Sequence, residues 1–186
     1  DDVYEIHEKN TFKFNVKNIN FWPQHAITLE RFINKENYNE KRETNILYIG
    51  DVNLIQNKKN NWNSIIDKNI NSSNLDCEKC LKEIVNSKYS FCVNNSYSKS
   101  MMMMDMMALG TVPIITKNIN VDEYNSTLKE GKHYVSALSL KQLKKKLKGI
   151  DDEKWRDMSE SCKNWYKNNI HSENYWNVLI NDILYS

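Results

Sequence analysis

Three short stretches of this chain are apolar almost without interruption: Asn45 to Ile49, closing on Gly50-Asp51, then Tyr89 to Val93, then Val112 to Ile115. Each is too short for an ordinary helix, and none shows the sustained polar–apolar alternation of a strand with one wet face. They read as strands buried on both faces, the kind found in parallel sheets, where every crossover must carry a covering element. Helical patterns lie between and after them. A fourth, short strand is expected at His133 to Ser136. The fold class that follows is α/β, with a mostly parallel sheet flanked by helices and further helices at the C-terminal end.

The first helical segment is centred on Trp62, Ile65 and Ile66. A second, Asp76 to Ser87, turns Cys80, Leu81 and Ile84 inward. Methionine dominates a third, Met101 to Leu109. Ser139 is placed to cap a fourth, in which Leu140, Leu143 and Leu147 face the core while Lys141, Lys144, Lys145, Lys146 and Lys148 form a solvated face. Trp155, Met158, Cys162 and Trp165 mark a fifth. Trp176, Leu179 and Ile183 mark the last, with Ser172 as its cap. Upstream, Thr11 to Val16 reads as extended, Ile27, Leu29, Phe32 and Ile33 as a helical stripe, and the polar stretch Asn34 to Thr44 as a hinge. Residues 1–44 are therefore expected to be a connector and helix from a preceding domain, and residues 45–186 a single α/β domain.

Composition narrows the classes. The chain has 186 residues, 40% hydrophobic and 27% charged, which places it among globular domains with a real core. Its 26 basic and 24 acidic residues nearly cancel, so nucleic acid is not an expected partner. No run of eighteen apolar residues occurs, so no membrane segment is expected. With only four glycines and two prolines, Gly50, Gly110 and Pro113 are informative positions. Cys77 and Cys80 form a CxxC, but no second pair and no nearby histidine completes a zinc site. With Cys92 and Cys162 they read as reduced thiols in or near a core. Together with the absence of a signal-peptide pattern they favour a cytoplasmic location.

The segment that carries chemistry is Tyr89 to Thr116, read as strand, polar loop, helix, glycine turn and strand. In open parallel sheets ligands bind outside the carboxyl ends of the strands, at loop-to-helix junctions. The loop Asn94-Asn95-Ser96-Tyr97-Ser98-Lys99-Ser100 lies at such a junction. It offers amides, hydroxyls, one cation and the free N–H groups of a helix start, a set suited to a diphosphate. Asp105 follows, alone among methionines. On spacing alone it reads as the one exposed edge of its helix. The other reading is a carboxylate held to accept two vicinal hydroxyls of a ribose or sugar.

Asp105-Met-Met-Ala108-Leu-Gly110-Thr111-Val112-Pro113-Ile114-Ile115 resembles the donor-binding motif of GT-B-fold glycosyltransferases, in the form closest to exostosin-like enzymes. Ile46 to Asp51 resembles the strand and glycine that open their C-terminal domain, followed by Lys58 and Lys59 where a phosphate-binding cation often lies. Met102 stands where the exostosin-like pattern usually has arginine. The resemblance implies a Rossmann-like domain, half of a GT-B fold, binding a nucleotide sugar for transfer to an acceptor hydroxyl on a glycan or protein. The interval between the first two strands leaves one strand–helix unit of that fold lost or degenerate.

The donor-binding residues implied are Gly50, Asp51, Lys58, Asn95, Ser96, Ser98, Lys99, Ser100, Asp105, Gly110 and Thr111. The nucleotide sugar is then a substrate, with no metal and no other cofactor expected, since lysines and helix N-termini stabilise a leaving diphosphate. Catalytic residues are not assigned, because the general base in such enzymes comes from the preceding domain. His7 and His25 are the histidines nearest that side, and His133 and His171 read as structural. The alternative is a catalytically degenerate nucleotide- or sugar-binding module, or an α/β protein-interaction domain.

Overall fold

A computed structural model gives the fold, with residues 29–33, 42–51, 53, 61–71, 76–92, 99–116, 128–171, 174 and 177 described. Among these residues five strands form one sheet: β1 (Thr44–Ile49), β2 (Lys68–Ile70), β3 (Ser87–Cys92), β4 (Val112–Ile115) and β5 (Val135–Ser136). Their order is β2-β1-β3-β4-β5, and every pairing is parallel. The helices are α1 (Cys77–Val85), α2 (Lys99–Ala108), α3 (Leu140–Lys148) and α4 (Asp152–Asn169). The α/β, Rossmann-like architecture expected from the buried runs is the one observed.

The strands form where both faces are covered. The last four residues of β1 and all four of β4 are buried. Residues two apart share a face, so Ile46 and Tyr48 align with Tyr89 and Phe91 on one side. There Phe91 stands edge-on to Tyr48, with ring centroids 6.5 Å apart, and to Trp62 at 5.7 Å. Such tilted pairs add to the area buried.

Two expectations change. The segment at Trp62–Ile65 is a short 3-10 helix rather than a full crossover helix, and β2 follows it directly. Strand β2 has the sequence Lys-Asn-Ile and sits at the sheet edge, mostly exposed, so no apolar run announces it. It occupies the interval between β1 and β3 for which the sequence resemblance implies a lost or degenerate unit. The fourth strand is also shorter, because His133 lies in the turn before β5 rather than in it.

In α1, Asp76 caps the helix by accepting the Lys79 N–H at 2.8 Å, and Leu81 and Ile84 are buried as their spacing requires. Cys80 is half-buried and Cys77 exposed, so the pair lies on the surface side of the first turn rather than in the core. In α3, Leu143 is buried and Lys141, Lys144, Lys145 and Lys148 are exposed, while Lys146 binds Glu130 and the Ser136 carbonyl.

Helix α4 closes the amino edge of the sheet. Trp155 Nε1 donates to the Lys88 carbonyl at the start of β3, Ser159 Oγ to the Gly110 carbonyl before β4, and Cys162 Sγ to the His133 carbonyl before β5. Residues 155, 159 and 162 recur at helical spacing, so a single stripe of α4 meets three successive strand starts. Leu29 and Phe32, in helical residues 29–33, are buried in the same core cluster as the sheet. Thr11 to Val16, read as extended, and Ser172, Trp176, Leu179 and Ile183, read as the final helix, lie outside the described residues.

His133 is held neutral. Its Nδ1 accepts the Lys129 N–H at 2.9 Å, and burial, then the Lys132 and Lys129 charges, hold its pKa below 6.5. Below that value the unfolded chain takes up a proton that the fold refuses. Stability is therefore expected to fall as pH drops through about 6.5 toward the lowered folded value. The His133→Gln variant is expected to show a flatter profile over that window in denaturant titrations at pH 7 and pH 5.

Candidate functional site

The strand order reverses at β1. The chain leaves β1 toward β2 on one side, then returns past β1 to build β3, β4 and β5 on the other. The crevice between the carboxyl ends of β1 and β3 is therefore the switch point, where open sheets of this order take their ligands. Leu47 pairs with Ser90, and continuing that register sets Ile49 level with Cys92.

Gly50 and Asp51 occupy this edge directly after β1. The Gly50 N–H extends the ladder to the Ile70 carbonyl at 2.8 Å. Gly50 adopts φ +144°, and a Cβ there would lie 2.8 Å from Tyr48 Oη. That close approach, together with the backbone conformation, is what requires glycine. Tyr48 Oη donates to the Asp51 carbonyl at 2.9 Å, and Asp51 Oδ1 accepts the Asn53 N–H at 2.9 Å. Burial and the Asp51 charge raise the Tyr48 pKa, so the hydroxyl keeps its proton and its donor role. Asp51 itself is exposed. Tyr48 is a further residue of this edge that sequence reasoning passes over, since inside an apolar run it reads only as core.

Lys99 and Ser100 begin α2 on the same side of the sheet, downstream of β3, and the first turn of α2 contains no acidic residue. Its leading N–H groups carry the positive end of the helix dipole. Asn95, Ser96, Ser98, Lys58 and Lys59 lie outside the described residues, as do His7 and His25.

Asp105 is buried, 7% exposed, which overturns the exposed-edge reading. The reason is that α2 packs against α4, α1 and strands β3 and β4, which bury residues 103–108 all round. Asp105 lies six residues below Lys99, about 9 Å along the axis. Its charge is felt by both Cys77 and Cys80, which places it toward the first turn of α1.

Gly110 and Thr111 lie at the other end of the sheet. Thr111 precedes Val112, which pairs with Tyr89 near the start of β3, so these residues are about 16 Å from Gly50 along the strand direction. Their groups serve the fold. Gly110 has φ +72°, and a Cβ there would meet Ser159 Oγ at 2.6 Å. Its carbonyl accepts from Ser159, and the Leu109 carbonyl accepts from Arg42 Nη2 at 2.8 Å. Arg42 lies in the stretch read as a hinge, yet it pins this turn with its guanidinium 5.8 Å from the Trp155 ring centre. Thr111 Oγ1 lies 2.5 Å from the Ile84 carbonyl and 3.1 Å from the Ser87 carbonyl, tying the end of α1 to the start of β3. Thr111→Val leaves both carbonyls short of that donor and is expected to cost about 1–3 kcal/mol in urea unfolding.

The site expected from the sequence therefore separates into two sets. Gly50, Asp51, Lys99 and Ser100 belong to the carboxyl side and Gly110 and Thr111 to the amino edge, with Asp105 between the two edges inside α2. Among the described residues no group of three His, Cys, Asp or Glu is placed to hold a metal ion. Among them, too, no helix is long and apolar enough to cross a membrane. No protein-family model matches the chain, and no curated protein matches it.

Proposed function

We propose that residues 45–186 are the donor-binding domain of a glycosyltransferase, taking a nucleotide sugar whose sugar passes to an acceptor hydroxyl held by a preceding domain. The observation that carries this reading is Asp105, a carboxylate buried to 7% exposure in the helix that follows β3 at the switch point. A carboxylate presents two acceptor oxygens side by side, a pair that the two vicinal hydroxyls of a ribose or sugar can match. The start of α2, which begins at Lys99, offers the positive end of a helix dipole to a departing diphosphate. No metal enters this scheme. The general base belongs to the acceptor side.

Binding comes first in any test, because it separates this reading from a protein-interaction domain. Ligand-observed NMR with UDP, GDP and their sugars is expected to show saturable binding of one nucleotide series, weakened in Asp105→Asn. A well-folded sample that binds none of the panel overturns the donor-domain reading. Sugar transfer by the chain joined to its acceptor domain then separates an active transferase from a degenerate binding module.

A further inference from the structure

Cys77 and Cys80 stand apart from the other two cysteines. None of the four is in a disulfide, but Cys92 and Cys162 are buried, whereas Cys77 is exposed and Cys80 half-buried. Both occupy the first turn of α1, where the Asp76 cap fixes the chain's entry into the helix. Side chains three residues apart on a helix share a face, with Cβ atoms about 5–6 Å apart. A disulfide needs about 3.5–4.5 Å between Cβ atoms, a gap that a small tightening of a terminal turn closes. No third ligand turns the pair into a metal site among the described residues.

The surroundings bear on the chemistry. Burial comes first, then the charges of Asp105 and Asp76, with Cys80 also feeling Glu83, and all of them raise the thiol pKa values. Thiols of raised pKa are mostly protonated near pH 7, so exchange at this pair is slow there and quickens as the pH rises.

From this arrangement we infer that Cys77 and Cys80 are a reversible dithiol–disulfide pair that exchanges with low-molecular-weight disulfides. The more exposed Cys77, as thiolate, attacks one sulfur of the small disulfide, forming a mixed disulfide and releasing one small thiolate. Cys80, as thiolate, then attacks Cys77 Sγ, closing the internal bond and releasing the second. Two protein thiols lose two electrons to one small disulfide, and their protons end on the two small thiols released. This exchange needs no ligand at the carboxyl edge, and its test reads thiols rather than binding.

The whole chain is treated with excess oxidised glutathione, alkylated without denaturant, digested and weighed. The peptide holding Cys77 and Cys80 is expected to lose two hydrogens and to carry neither label nor glutathione, and dithiothreitol is expected to reverse the change. Cys77→Ser and Cys80→Ser are each expected to abolish the internal bond, leaving at most one glutathione on the remaining cysteine. A folded wild-type sample that keeps both thiols open to the label, or holds glutathione on Cys77 beside a free Cys80, overturns the inference.

Discussion

Gly110→Ala is expected to lower the stability of the domain by about 2–4 kcal/mol. At φ +72° any side chain beyond hydrogen strains the backbone, by about 1–2 kcal/mol. The added Cβ would also fall 2.6 Å from Ser159 Oγ. Relief requires moving a hydroxyl that donates to the Gly110 carbonyl at 2.6 Å, on a helix that also anchors the starts of β3 and β5. Losing that bond adds about 0.5–1.5 kcal/mol. A urea titration reads the cost as a lower midpoint with an unchanged slope. A variant of wild-type stability that has lost nucleotide binding would instead place Gly110 against a ligand.

Asp105→Asn is expected to weaken nucleotide-sugar binding about 10- to 100-fold, the equivalent of the 1.5–3 kcal/mol that hydrogen bonds to a charged group typically contribute. The substitution keeps the shape of a residue that is 7% exposed, so packing in α2 is preserved. It removes the charge and turns one hydroxyl-accepting oxygen into a donor that opposes the hydroxyl. A thermal midpoint measured without ligand separates loss of fold from loss of affinity. Unchanged affinity in a folded Asp105→Asn sample would mean that the carboxylate serves the core alone.

Much of this architecture is legible in the sequence because the central strands advertise their burial. Ile46 to Ile49 and Val112 to Ile115 are apolar throughout, and both are central strands of the parallel sheet. Strand β2 escapes notice for the opposite reason. It is an edge strand held by backbone pairing to β1, so Lys68 and Asn69 stay exposed and carry no apolar signature. The stripe Trp155, Met158, Cys162 and Trp165 shows that α4 has a buried face, but not that this face closes the amino edge.

The candidate site is legible only in part. A glycine after β1 and a polar loop after β3 mark the carboxyl edge by order along the chain alone. Helical periodicity misplaces Asp105, because residues 103–108 are buried all round and leave no wet face to reveal. The neighbourhood of Gly110 and Thr111 on the chain hides their separation from Gly50. A ten-residue helix carries the chain from one edge of the sheet to the other between Lys99 and Gly110.

The most direct test of a ligand site at the β1–β3 switch point is amide shift mapping of the isotope-labelled chain with a saturating nucleoside diphosphate sugar. The expected result is movement of the Gly50, Asp51, Lys99 and Ser100 amides, with Gly110, Thr111 and Ser159 unmoved. Shifts centred on Gly110 and Thr111, or none at saturation, would contradict the account.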